Sequence, residues 1–173
     1  MVGKKGLRIY TNADGINAAD IMHCAIDHLS ASECLFESSP SHYDSAGYIA
    51  HIGIEMVLKS ILMYRDGAFP ALHSIRQLYD ALLDKSYVSE LPNELRQIVA
   101  TLDDYESLRY PNLHNPIEIG TDDLLPIKKL ANFLLGQLPE GLVSELERPS
   151  SQSNNELIVK AGRMLVRKKH DPA

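Results

Sequence analysis

The 173-residue chain has no tryptophan, three phenylalanines and only two cysteines. Cys24 and Cys34 stand ten positions apart, in neither a CxxC nor a Cys/His ligand spacing. That excludes a disulfide framework and argues against a structural zinc site. Basic residues are also short: 17 Lys and Arg face 23 Asp and Glu, for a formal charge of −6. A broad basic surface for nucleic acid or anionic lipid is therefore excluded, and any anion site must be a local patch. No uncharged apolar run reaches the ~18 residues of a membrane span. The basic residues 1–6 are followed by no apolar signal core. The expectation is a soluble, cytoplasmic protein with no membrane partner. There is no Gly-rich phosphate loop and no strand–helix alternation, so a nucleotide-binding sheet fold is out. His23 and His28 fall on different helix faces, and no HExxH is present. No metal and no cofactor are expected.

What is present is helical periodicity. Asn17 suits the cap of a first segment in which Ile21, Ala25 and Leu29 return to one face. Ser38 to Ser41 interrupts it. Ser41, with Asp44 three residues on, predicts the start of a second segment reaching Arg65. This one is apolar nearly all round, as a central helix should be. Gly67 and Pro70 end it. Ser74 caps a third segment with Ile75, Leu78, Tyr79 and Leu82 in a stripe. Pro92 suits the first turn of a fourth, striped by Leu95, Val99, Leu102 and Tyr105, which must stop or kink at Tyr110 because Pro111 follows. Thr121 caps a fifth, running to Leu138, and the Pro139-Glu140-Gly141 sequence closes it.

The expected architecture is all-α: an antiparallel up-and-down bundle of about five helices over residues 17–141. An extension, 1–16, includes a candidate strand at 6–11. A linker and basic tail occupy 142–173, with five basic and two acidic side chains from residue 156 onward. Residues 156–169 fit one helical face and equally a hairpin.

The chemistry concentrates at the end of the fourth segment, Glu106-Ser107-Leu108-Arg109-Tyr110-Pro111-Asn112-Leu113-His114. A guanidinium holds a phosphate through two parallel hydrogen bonds. An imidazole takes or gives a proton near neutral pH. Arg109 and His114 across a Pro-directed turn are thus a minimal kit for cutting RNA without metal; a surface cation and a loop-capping histidine are the plain alternative. In the second segment Glu55 and Lys59 stand one turn apart. They read either as an ordinary helix pair or as a carboxylate that orients Arg109 or His114. His51, a turn earlier, is either a satisfied core histidine or part of the same cleft. Tyr110 could stack on a base or serve packing.

Three stretches together resemble the HEPN domain family: the run from Tyr48 to Leu62 containing His51, Glu55 and Lys59; the His73-Ser74-Ile75-Arg76-Gln77-Leu78 opening of the third segment; and Tyr105 with Arg109-Tyr110-Pro111. The resemblance implies a helical bundle that dimerises and brings paired arginines and histidines into a cleft between subunits. It implies two kinds of activity. Many members are metal-independent endoribonucleases, often toxins of toxin–antitoxin or defence systems. Others bind nucleotides or partner a minimal nucleotidyltransferase. The ribonuclease branch carries an arginine and a histidine four to six residues apart, which Arg109 and His114 match. That branch usually has a polar residue after the arginine, where this chain has Tyr110. Where toxins silenced by adenylylation carry a tyrosine, this chain has Pro116. The expected catalytic set is Arg109, His114 and Glu55, and the expected substrate-binding set Tyr110, His51, Lys59 and Asn112. The expected ligands are RNA or a nucleotide. The expected protein partners are a second copy of the chain and a nucleotidyltransferase or antitoxin.

Overall fold

The computed structural model describes residues 7–109, 114 and 116–147. The tail segment 156–169, with its helix and hairpin alternatives, lies outside them. Six α-helices and a two-stranded ribbon make up the described chain: β1 (Ile9–Thr11), α1 (Ala18–Ser38), α2 (Tyr43–Asp66), β2 (Ala68–Pro70), α3 (Ile75–Asp84), α4 (Asn93–Tyr105), α5 (Leu124–Leu135) and α6 (Glu140–Glu147). Short 3-10 turns precede α2 and α5, and one, Glu106–Arg109, extends α4.

The all-α bundle follows from its stripes. α2 is the centre. Ala50, Ile54, Val57, Leu58 and Ile61 are all fully buried, and α1, α3, α4 and α5 pack around it. Its stretch Pro40–Asp66 is long and apolar enough to cross a membrane by length and composition, which the absence of an uncharged run did not foretell. However, 78% of that window is buried inside the chain, so it serves as a core helix. α1 lies closest to α2. A Cβ on Gly53 would stand 2.9 Å from Leu29 Cγ and 3.2 Å from the Leu29 backbone nitrogen, so glycine is what permits the close approach. Each fully buried aliphatic side chain contributes about 1.5–3 kcal/mol over its exposed state.

The caps hold in part. Asn17 Oδ1 accepts from the Asp20 N–H (2.8 Å), and Ser74 Oγ from the Gln77 N–H (3.2 Å). Gly67 ends α2 in the left-handed conformation (φ 68°) and returns its N–H to the Met63 carbonyl. Ser41 does not cap α2: a 3-10 turn over Pro40–His42 intervenes, and its cap is Ser39. Nor does Thr121 cap α5. The Asp123 carboxylate accepts from the Gly120 N–H (2.7 Å), leaving the Thr121 hydroxyl to pair with the Tyr43 hydroxyl (2.5 Å).

Two further outcomes are local. The candidate strand at 6–11 forms as β1, paired antiparallel with β2 in the register Tyr10↔Phe69. The Pro139-Glu140-Gly141 sequence, read as the close of the fifth helix, opens a sixth instead. α5 stops at Leu135, Pro139 precedes α6, and Leu142 is fully buried. Proline favours a helix start as readily as it forbids a helix interior.

Candidate functional site

A row of ionisable side chains runs through the middle of α2. His51, Glu55 and Lys59 occupy successive turns, and only 1%, 7% and 7% of them is exposed. A carboxylate this deep needs partners. Glu55 Oε1 accepts from Lys59 Nζ at 2.5 Å. Its Oε2 faces His73 Nδ1 at 3.2 Å and His51 Nε2 at 3.5 Å. The last separation is that of an ion pair rather than a hydrogen bond of good geometry, and Nε2 has no other protein partner. Lys59 Nζ also sits 5.4 Å from the centre of the Phe69 ring. His73, on the chain leading into α3, has 63% of its side chain exposed, so the row is most open to solvent there.

The row joins α2 to α4 through His51. Its Nδ1 lies 2.7 Å from the Leu102 carbonyl oxygen, in the last turn of α4. A carbonyl only accepts, so Nδ1 carries a proton and donates. Burial pushes the His51 pKa down. The Glu55 carboxylate, the Leu102 carbonyl and the charge of Glu106 together outweigh it and hold the pKa above the ordinary histidine value. For Glu55, burial raises the pKa, while His51, Lys59 and the charge of His73 overcome it and hold the carboxyl below its ordinary range.

A second crosslink fixes the start of α3. The Asp103 carboxylate accepts from Ser74 Oγ (2.9 Å) and from the N–H groups of Ile75 (2.5 Å) and Arg76 (3.2 Å). An anion at a helix N-terminus satisfies orphan donors and complements the dipole. α4 is thereby held near its end from two sides, by His51 and by the opening of α3.

The 3-10 turn Glu106–Arg109 continues from that anchored end. Arg109 is its last residue, and His114, five positions on, is exposed. Tyr110 and Asn112, expected to bind substrate, lie outside the described residues. A cleft of about 300 Å³ opens beside this turn, with Thr101, Asp104 and Ser107 on one wall and Pro116 and Glu118 on the other. Tyr105 borders it with a buried hydroxyl that makes no hydrogen bond of normal geometry. Burial pushes that phenol well above its usual range, and the Asp123 charge adds to the effect.

The expected residues thus fall into two groups. Arg109 and His114 both belong to the α4–α5 connection. Glu55, His51 and Lys59 lie inside the bundle, where His51 and Lys59, expected to face a substrate, are buried and paired. Glu55, expected to orient Arg109 or His114, has Lys59, His51 and His73 as its partners and is linked to α4 through His51. His73 and Asp103 were not singled out from the sequence for these pairings. His73 is 18 positions from Glu55, and Asp103 is 27 to 29 from the groups it caps. No local spacing signals either contact. Among the described residues no group of three potential metal ligands converges.

The chain is an all-α bundle around a long apolar helix with a buried ionic row, its fourth helix extended by a turn that ends in Arg109. A family model described as the HEPN domain matches residues 18–136. The chain belongs to the HEPN domain family. Comparison with curated proteins and with solved structures found no match.

Proposed function

We propose that this HEPN-domain protein is a metal-independent endoribonuclease acting on RNA phosphodiesters through Arg109 and His114, in a cleft completed by a second copy of the chain. The observation that carries this reading is the placement of Arg109 at the end of a helix anchored on two sides, with an exposed His114 five residues on. HEPN domains commonly bind RNA and dimerise, which supports the choice of substrate and the paired site.

In the proposed reaction the His114 imidazole takes the proton of a ribose 2′-hydroxyl. That oxygen attacks the adjacent phosphorus while Arg109 neutralises charge on the phosphoryl oxygens. The bond from phosphorus to the 5′ oxygen breaks, and the departing oxygen receives a proton. The products are a 2′,3′-cyclic phosphate and a 5′-hydroxyl. A cytoplasmic toxin or defence component held by an antitoxin partner is the setting this chemistry suits.

The test is cleavage of end-labelled RNA by the purified chain in EDTA. Wild type should cut. Arg109→Ala and His114→Ala should each lose roughly 10²–10⁴-fold in rate with folding intact. Activity that survives both substitutions would overturn the assignment. Light scattering tests the dimer.

One observation favours a second reading. Tyr110 follows the arginine where the ribonuclease branch carries a polar residue. On this reading the chain is a non-catalytic nucleotide-binding or adaptor module for a nucleotidyltransferase. A wild-type protein that binds nucleotide or such a partner and leaves RNA intact would establish it.

A further inference from the structure

The bond from His51 to Leu102 decides more than packing. The Leu102 carbonyl fixes a proton on Nδ1. A neutral imidazole would then present the bare lone pair of Nε2 to the Glu55 carboxylate 3.5 Å away. Two electron-rich atoms facing each other in a buried site repel; adding a proton to Nε2 turns that repulsion into an ion pair. The same cation lies against the last turn of α4, where the helix dipole is negative.

We propose that His51 is a buried imidazolium that clamps the end of α4 to α2 and thereby positions the turn carrying Arg109, making it a positioning residue that never touches substrate. The clamp stands on the geometry of His51, Glu55 and Leu102 alone; its effect on catalysis rests on the ribonuclease reading.

The charged groups around His51 are few. From α2 it meets Glu55 and, across that carboxylate, Lys59. From the approach to α3, His73 contacts the same carboxylate. From the end of α4 comes the charge of Glu106. Asp103, its neighbour on α4, is taken up by the opening of α3. Lys59 and His73 compete for Glu55, but one carboxylate oxygen faces Lys59 and the other faces the two imidazoles.

The decisive measurement is the two-bond proton–nitrogen spectrum of the imidazoles in the ¹⁵N-labelled full chain, followed through neutral pH and above. His51 should show both ring nitrogens protonated at neutral pH and release a proton only above the ordinary histidine range. The backbone amides of residues 106–109 should shift with the His51 midpoint. A neutral His51 at pH 7, or amides indifferent to it, would overturn the clamp. Glu55→Gln keeps the side-chain size and removes the charge; it should lower the His51 midpoint by about one pH unit or more, a tenfold change in the protonation constant. An unmoved midpoint would count against the clamp. If that variant fails to fold, the wild-type spectrum still decides. For catalysis, His51→Gln retains a donor for Leu102 without the charge. It should lower kcat about tenfold or more with little change in KM. An unchanged kcat in this variant would remove the positioning role. Should wild type fail to cut RNA, the ribonuclease reading falls while the imidazole spectrum still decides the clamp.

Discussion

The middle of α2 and the connection that follows α4 both gather ionisable side chains, on opposite terms. In α2 a carboxylate, an ammonium and an imidazole are taken out of water and spent on one another. After α4 the histidine stays exposed, and a cleft opens beside the turn that precedes it. The first arrangement binds the molecule together and is costly to disturb. The second keeps its histidine in contact with solvent. A polar residue on these helices is therefore best judged by what its charge is spent on, and His51 links the two regions.

Stability measurements should separate them most sharply at Glu55. Glu55→Ala leaves Lys59 and His51 buried without their counter-ion, and urea unfolding should show a loss of about 3–5 kcal/mol. Lys59→Met keeps an apolar chain of similar reach and leaves Glu55 both imidazoles; the loss should be about 1–3 kcal/mol by the same measurement. Asp103→Ala removes a cap to three donors at the start of α3 and should cost about 1–2 kcal/mol. His114→Ala lies at the other extreme, within about 0.5 kcal/mol of wild type, although the proposed activity is lost. A large destabilisation by His114→Ala would break the contrast.

The two regions should also part in their response to pH. The lowered pKa of Glu55 contributes stability that is present above the ordinary carboxylate range and is lost as pH falls through its folded value. The raised pKa of His51 contributes stability that is full below the ordinary histidine value and is lost as pH rises through its folded one. Urea midpoints should therefore peak between the two and flatten in Glu55→Gln.

Much of this architecture was legible in the residues. The stripes of α3, α4 and α5 repeat at helical spacing, and α2 is apolar almost all round; burial followed both patterns. Asn17 and Ser74 cap because a short polar side chain before a stripe has a local partner. Ser41 and Thr121 misled because a 3-10 turn set the helix start a few residues later, and such turns have no hydrophobic period of their own. The α6 helix was missed because one proline can close one element or open the next. In the site, the pairing of Glu55 with Lys59 follows from spacing on one helix. The ties from His51 to Leu102 and from Asp103 to the start of α3 join residues 27 to 51 positions apart, and only the packing of helices brings them together.

The β1–β2 ribbon has a consequence for synthesis. Tyr10 stacks on Phe69 across it, at a ring separation of 5.4 Å, which ties together points roughly sixty residues apart. While the chain is emerging from a ribosome, the first strand has nothing to pair with until the whole of α1 and α2 has been made. At about 5–20 residues per second, β1 waits several seconds for its partner strand.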